Sequence, residues 1–268
     1  MSRVTVLKFG GELLEDPART RAIAGVVRKA AALGPLVVVH GGGREIDRAL
    51  AAAGIAKQQV DGLRVTDEAT LDVVVAVLAG VLNTRLVATL NAAGVRAVGL
   101  TGADATVAPV RQAPLFTAAD GRRLSLGRVG IPKATGRAVA LEQLTNGGFV
   151  PVVASVSASA SGALFNVNAD TLAGNLAARL KARRLVVAGA TAGVLDAAGA
   201  TVPLVDAAAA RAMVKAGTAS AGMIAKLAAC RHAAQAGVRD VRIADGRTPA
   251  GLLAALRGDA SGPWTRVQ

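Results

Sequence analysis

The sequence is poor in the residues that staple, metallate or stack proteins onto nucleic acid. Of 268 residues, one is cysteine, two are histidine, one is tryptophan and none is tyrosine. A single thiol, Cys230, excludes an internal disulfide framework and a cysteine-built metal site. It reads as a small apolar residue on a helix. With two histidines and no His-Glu-x-x-His, zinc chemistry is not expected, and a reducing cytoplasm fits this composition. Aromatics are 2% of the chain, which leaves no platforms for base stacking. The net charge of +13, from 31 Lys+Arg against 18 Asp+Glu, is scattered as singles and pairs. It reads as a solvated basic surface that attracts anionic ligands, with no nucleic-acid partner expected. No apolar run reaches membrane-span length and the first residues enter a strand directly, so neither a membrane partner nor a targeting segment is expected. Absent motifs remove further classes. There is no Gly-Lys dipeptide for a Walker loop, no GxGxxG, no protein-kinase HRD or DFG, and no GxSxG of a serine hydrolase.

What is present centres on Leu36-Val37-Val38-Val39-His40-Gly41-Gly42-Gly43. A β-branched run enters three glycines, and Ile46, Ala49, Leu50 and Ala53 follow with helical spacing. Strand, glycine turn and helix start together bring backbone N–H groups and a positive dipole end to one point, where an anion fits. A second strand–glycine turn, Val4–Phe9 into Gly10-Gly11, precedes it. Asp16 caps a helix opened by Pro17 and running to about Leu33, where Gly34-Pro35 stops it.

A helix follows from 44 to 53, then a polar irregular segment through Arg64. Thr66-Asp67-Glu68 opens a long helix to about Ala93. Its broad apolar face (Leu71, Val74, Val75, Leu78, Leu82, Leu86) suits a sheet or a twin subunit. Val95–Leu100 is a strand, 106–129 reads as hairpins around Asp120-Gly121, and 135–146 as a helix. Phe149–Ala154 is a strand and Ser155–Gly162 a flexible loop. Asn166-Val167-Asn168-Ala169-Asp170 opens a helix to Arg179, with Asp170 as a candidate cap. Strand 185–188, helices 206–216 and 223–236, a last strand 238–244 and a last helix 248–256 complete the chain. This alternation predicts an α/β protein, a three-layer α/β/α sandwich with a mostly parallel central sheet and ligands at the strands' carboxyl ends. A soft boundary near 155–162 separates an N-terminal lobe from a C-terminal lobe within one domain.

Five motifs stand in a fixed order: Lys8-x-Gly10-Gly11, His40-Gly41-Gly42-Gly43, Gly62-Leu63-Arg64-Val65-Thr66, Asn166-Val167-Asn168-Ala169-Asp170 and Gly222-Met223-Ile224-Ala225-Lys226. In this order they resemble the amino acid kinase superfamily, and within it the acetylglutamate kinases, over nearly the whole chain. The resemblance implies one kinase domain. Its N-terminal lobe, about 1–155, would bind the acyl substrate and its C-terminal lobe, about 163–268, the nucleotide. It implies transfer of a phosphoryl group from ATP to the side-chain carboxylate of N-acetyl-L-glutamate, with Mg²⁺ carried by the phosphates and no metal-ligating residue.

By the same analogy Lys8 and Lys226 stabilise the transferring phosphoryl and Asp170 holds them. Gly42, Gly43, Arg64, Asn166 and Asn168 face the substrate. Gly10, Gly11, Thr191, Gly193, Val194, Leu195 and Ser220 face the nucleotide. His40 and Met223 read as structural. One departure stands out. Where the family has a Ser or Thr and an Asp after the adenine-side strand, this chain has Gly189-Ala190-Thr191-Ala192. Backbone groups from Thr191 to Leu195, helped by Ser220, would then carry nucleotide binding. The resemblance also implies a homodimer without arginine feedback, since no helical extension precedes the first strand. Two readings stay open beside it: a kinase for glutamate or aminoadipate linked to an acidic carrier protein, and a non-catalytic binding relative.

Overall fold

The computed structural model describes residues 4–118, 120–215 and 221–268. Eight strands form its central sheet: β1 (Thr5–Phe9), β2 (Leu36–His40), β3 (Ala97–Thr101), β4 (Val150–Ala154), β5 (Arg184–Gly189), β6 (Leu204–Val205), β7 (Asp240–Asp245) and β8 (Trp264–Val267). Their spatial order is β6-β8-β7-β5-β1-β2-β4-β3. Every neighbouring pair is parallel except β7–β8. The chain leaves β1 towards β2 on one side and β5 towards β7 on the other. The crevice beyond the carboxyl ends of β1 and β5 is therefore the switch point, where ligands of open α/β sheets bind.

The helices are α1 (Pro17–Ala31), α2 (Gly43–Ala52), α3 (Glu68–Ala92), α4 (Val139–Asn146), α5 (Ala169–Arg179), α6 (Ala207–Lys215), α7 (Ala221–Gln235) and α8 (Pro249–Arg257). Asp16 accepts from the Ala18 amide at 2.9 Å and so caps α1 as its sequence implies. Strand residues alternate between two buried faces. Val6, Val37, Val153, Val187 and Ile243 meet Leu172, Leu176 and Leu227 of α5 and α7. Leu7, Val38, Val152, Val186 and Ala244 meet Ile23, Val27, Leu86 and Leu252 of α1, α3 and α8. The thiol of Cys230 lies wholly inside, as expected, and burial pushes it up to about 12.

The apolar face of α3 is buried within the chain, one of the two settings its sequence suits. Leu71, Val74, Leu78, Leu82 and Leu86 are buried and Val75 half-buried; the helix turns Asp72, Ala76, Gly80, Val81, Thr84 and Ala88 outward. Four expectations are corrected, the first on the same helix. By length and apolarity α3 could cross a membrane, contrary to the sequence reading. Its leucines, however, pack under α2 and the sheet, as in a core helix. Second, Ser155–Gly162 is not a free loop, because Val156–Ala158 pairs antiparallel with Leu164–Asn166. Third, the strand 240–245 is not the last, since Trp264–Val267 returns antiparallel beside it. Fourth, α4 starts four residues late. Gly136 has φ +95°, outside the helical region, and its carbonyl accepts from Arg179 Nε at 2.9 Å.

Candidate active site

The site grows from β1. Lys8 shares a strand face with Val6, which points it at α5 and α7 rather than at α1. There its Nζ lies 2.8 Å from Asp170 Oδ1. Lys226, on α7, reaches the same oxygen at 3.5 Å. The approach of α7 depends on Gly174 of α5, where a Cβ would meet the Ala229 carbonyl at 2.7 Å. One carboxylate between two ammonium groups is thus fixed by a strand and two helices, and all three side chains are largely buried.

The electrostatics follow. Burial opposes the charge on Asp170, but the Lys8 and Lys226 charges outweigh it and hold the carboxyl below its usual range. Burial also works against the Lys8 ammonium. The Asp170 charge and hydrogen bond, with Glu12 behind them, overcome it and raise the Lys8 pKa. Lys226 goes the other way, because burial and the Lys8 charge outweigh Asp170. Asp170 does not cap α5. Asn168 does, its Oδ1 accepting from the Thr171 amide at 3.0 Å, so Asn168 sets the turn that aims Asp170.

The two glycine turns touch. A Cβ on Gly11 would stand 2.6 Å from Gly42 Cα, a clash of backbone on backbone. Gly42 is also the cap position of α2, with no side chain capping it, and Gly43 opens the helix. The uncapped N-terminus of α2 therefore faces the Lys8 turn, where unpaired amides favour an anion. Gly10 is corrected: its N–H donates to the Ala188 carbonyl at 3.0 Å and is spent on the fold.

His40 holds the second turn from beneath. The Asn83 amide nitrogen can only donate, and it lies 3.0 Å from His40 Nε2. Nε2 is thus the acceptor, and Nδ1–H donates to the Gly41 carbonyl at 3.2 Å. Burial pushes the ring pKa down to about 4. His40 is therefore neutral and structural, as its strand-end position implies. Asn83 reaches it because the middle of α3, Ala76–Leu82, is a π turn that also presses Leu78 and Leu82 towards Gly42.

On the far side of Gly43 stands Arg64, in a short hairpin of Gln59–Val60 with Leu63–Arg64. Its Nη2 donates to Asp47 Oδ1 and to the Gly43 carbonyl at 3.3 Å. Its buried Nη1 has no protein partner. An anchored guanidinium with one prong open is built to take a carboxylate. Asn166 joins it through Thr66, donating to the Thr66 hydroxyl at 3.1 Å. Arg64, Gly43, Gly42, Gly11 and Lys8 therefore form one continuous wall.

The nucleotide-side expectations fare less well. The Val194 amide donates to Thr265 Oγ1 at 2.8 Å, and its side chain is core. Gly193 has φ +115° and packs on Thr265, and the Thr191 hydroxyl donates to the Gly193 carbonyl at 3.0 Å. The 189–196 loop is thus braced by β8, which leaves Leu195 exposed. Ser220 lies outside the described residues. Sequence reasoning missed Thr265, Asp47, Asn83 and Glu12. For Asp47 the signal was a carboxylate one turn into the helix that Gly43 opens.

A model of the amino acid kinase family matches residues 3–245. An acetylglutamate kinase of Zymomonas mobilis is 38% identical over 260 residues, 95% of this chain and 86% of that protein. Another, from a Caulobacter species, is 40% identical over 94% of this chain and 86% of its own length. Among solved structures, the N-acetylglutamate synthase of Neisseria gonorrhoeae superposes with a TM-score of 0.83 at 25% identity, over 99% of this chain and 59% of that one. A carbamate kinase from Giardia lamblia, at 15% identity and TM-score 0.67, shares the fold over 99% and 98% of the two chains. Fold, site and relatives agree: the chain belongs to the amino acid kinase family.

Proposed function

We propose that the chain transfers the γ-phosphoryl group of ATP to the side-chain carboxylate of N-acetyl-L-glutamate, giving the acyl phosphate that arginine biosynthesis uses. The observation that carries this is Asp170 held between Lys8 and Lys226 at the sheet's switch point. Phosphoryl transfer asks a protein mainly to align the reactants and to surround a shifting negative charge with cations. Lys8 approaches from the glycine turns and Lys226 from the β5 side. Arg64, with Asn166 beyond Thr66, orients the acceptor through its α-carboxylate, and Gly42 and Gly43 bring the α2 N-terminus to the moving group. The N-terminal strands and hairpins would carry the acyl substrate and the C-terminal lobe the nucleotide, with the protein in the cytoplasm.

Mg²⁺ fits this arrangement only if it arrives on the phosphates. Among the described residues no three acidic, histidine or cysteine groups stand together to hold a metal. When bound, it supplies positive charge that screens the phosphate oxygens.

The direct test is ATP turnover with free N-acetyl-L-glutamate against a carrier-linked glutamate. Turnover of the free acid is expected, and use of the carrier-linked form alone would overturn the reading. Arg64→Lys keeps the charge but loses the fork. It should raise the KM for N-acetylglutamate by about 10- to 100-fold, the worth of a charged hydrogen bond, with little change in the KM for ATP. A change confined to the ATP KM would remove Arg64 from the acceptor site.

A homodimer is the expected assembly, now through the outward, exposed residues of α3, Ala76, Gly80, Val81, Thr84 and Ala88. Light scattering should then give twice the 26.6 kDa chain mass. A monomer at micromolar concentration would contradict it.

A further inference from the structure

Glu12 is used by none of the steps above, yet its carboxylate lies inside the phosphate end of the site. It folds back over Gly10, where a Cβ would stand 2.2 Å from Oε1 and 2.3 Å from Oε2. A side chain at position 10 would displace the Glu12 carboxylate from this place. At the carboxyl end of β5, the point where a Gly189 Cβ would stand is 3.6 Å from Glu12 Oε1 and 3.8 Å from Lys226 Nζ. Carboxylate and ammonium therefore flank one strand end. They do not pair, because Lys226 gives its ion pair to Asp170. Among the described residues the Glu12 carboxylate has no hydrogen-bond or ion-pair partner; only its backbone carbonyl is engaged, by Arg19.

The charges sharpen the point. Lys8 and Lys226 carry two positive charges, and Asp170 and Glu12 two negative ones, so the formal sum is zero. A triphosphate carries several negative charges, and these four side chains together give it no net attraction. A free carboxylate beside the phosphate path would repel it. A divalent cation removes the conflict, since Mg²⁺ characteristically takes one or two carboxylates, substrate phosphate oxygens and water, without a full protein cage. Among the described residues beside the β5 end, Glu12 is the carboxylate left unpaired for that task; Glu45, whose oxygens also lack hydrogen bonds, stands at Gly42 with Arg48.

We propose that Glu12 is the protein's ligand, direct or through water, for the divalent cation that accompanies the nucleotide, and so makes nucleotide binding depend on that cation. This rests on the kinase reading above. The test is calorimetric titration of ATP, without acceptor, into the wild-type chain and into Glu12→Gln, with Mg²⁺ and with EDTA. Wild type should bind Mg²⁺–ATP far more tightly than metal-free ATP. In Glu12→Gln that ratio should shrink by about tenfold or more, with metal-free ATP gaining affinity. Glu12→Asp, which keeps the charge, should retain most of the ratio, and thermal melts of the three proteins establish that each is folded.

An unchanged ratio in Glu12→Gln, including a uniform tightening of both forms, overturns the assignment and leaves the kinase reading intact. No binding of ATP to the wild-type chain in either condition overturns both.

Discussion

Lys8→Ala lowers kcat by about 10²–10³, the usual cost of one preorganised stabiliser of transition-state charge. The structure gives three reasons to place the largest loss here. Lys8 is 6% exposed, so its charge acts in a water-poor setting where it is worth more. Asp170 keeps it protonated against the pull of burial, and the raised pKa means the ammonium is present across the working pH range. It also stands next to the turn where Gly11 meets Gly42, so the backbone amides and the ammonium converge on one oxygen-rich group. Lys8→Met, which keeps the buried stem and drops the charge, should lose as much as the alanine variant, which separates charge from packing. Lys226→Ala should fall similarly from the opposite side. Steady-state kinetics with N-acetylglutamate checks all three. A Lys8 variant with near-normal kcat would take that residue out of the reaction.

How much of this was legible follows from which signals are local. The strand–glycine turns at Phe9-Gly10 and His40-Gly41, the helix start at Thr66-Asp67-Glu68, and the lysine and aspartate of the motifs are written in adjacent residues, and the structure brings Lys8, Asp170 and Lys226 together. Long-range pairing is not written that way. Trp264–Val267 is four residues with an exposed arginine inside, and only its partners β6 and β7 make it a strand. Thr265 bracing the 189–196 loop depends on that pairing, so it was out of reach too.

The π turn in α3, by contrast, left a mark that went unread. Val74, Leu78, Leu82, Leu86 and Leu90 are spaced by four throughout, and all are buried. On a regular α-helix each such step drifts by about 40°, so the stripe would wind off the core. The wider turn at Ala76–Leu82 absorbs the drift. Glu12 was invisible for another reason: its meaning lies in being unpaired, which only the folded charge arrangement reveals.

The second large effect belongs to Asp170. Asp170→Asn keeps the shape and the α5 turn, since the cap is Asn168, but removes the carboxylate that both lysines contact. Two ammonium groups then face each other in a buried site. Losing the carboxylate from a buried, charge-paired cluster exposes its partners to full desolvation cost. Lys226 is the one to yield. In the wild type, burial and the Lys8 charge already hold its pKa below the ordinary lysine value, and Asp170 is what opposes them. Remove that opposition and the pKa drops further. A lysine serves as a cation only below its pKa, so the activity it supports is lost as pH rises through that value. The alkaline limb of the pH–rate profile should therefore move to lower pH in Asp170→Asn, with kcat below the limb reduced by about 10² or more through misplaced lysines. A variant that merely packed poorly would lose activity evenly across pH and leave the limb in place. An unmoved limb would show that Asp170 does not set the charge of Lys226, and that the shared-carboxylate arrangement is structural rather than electrostatic.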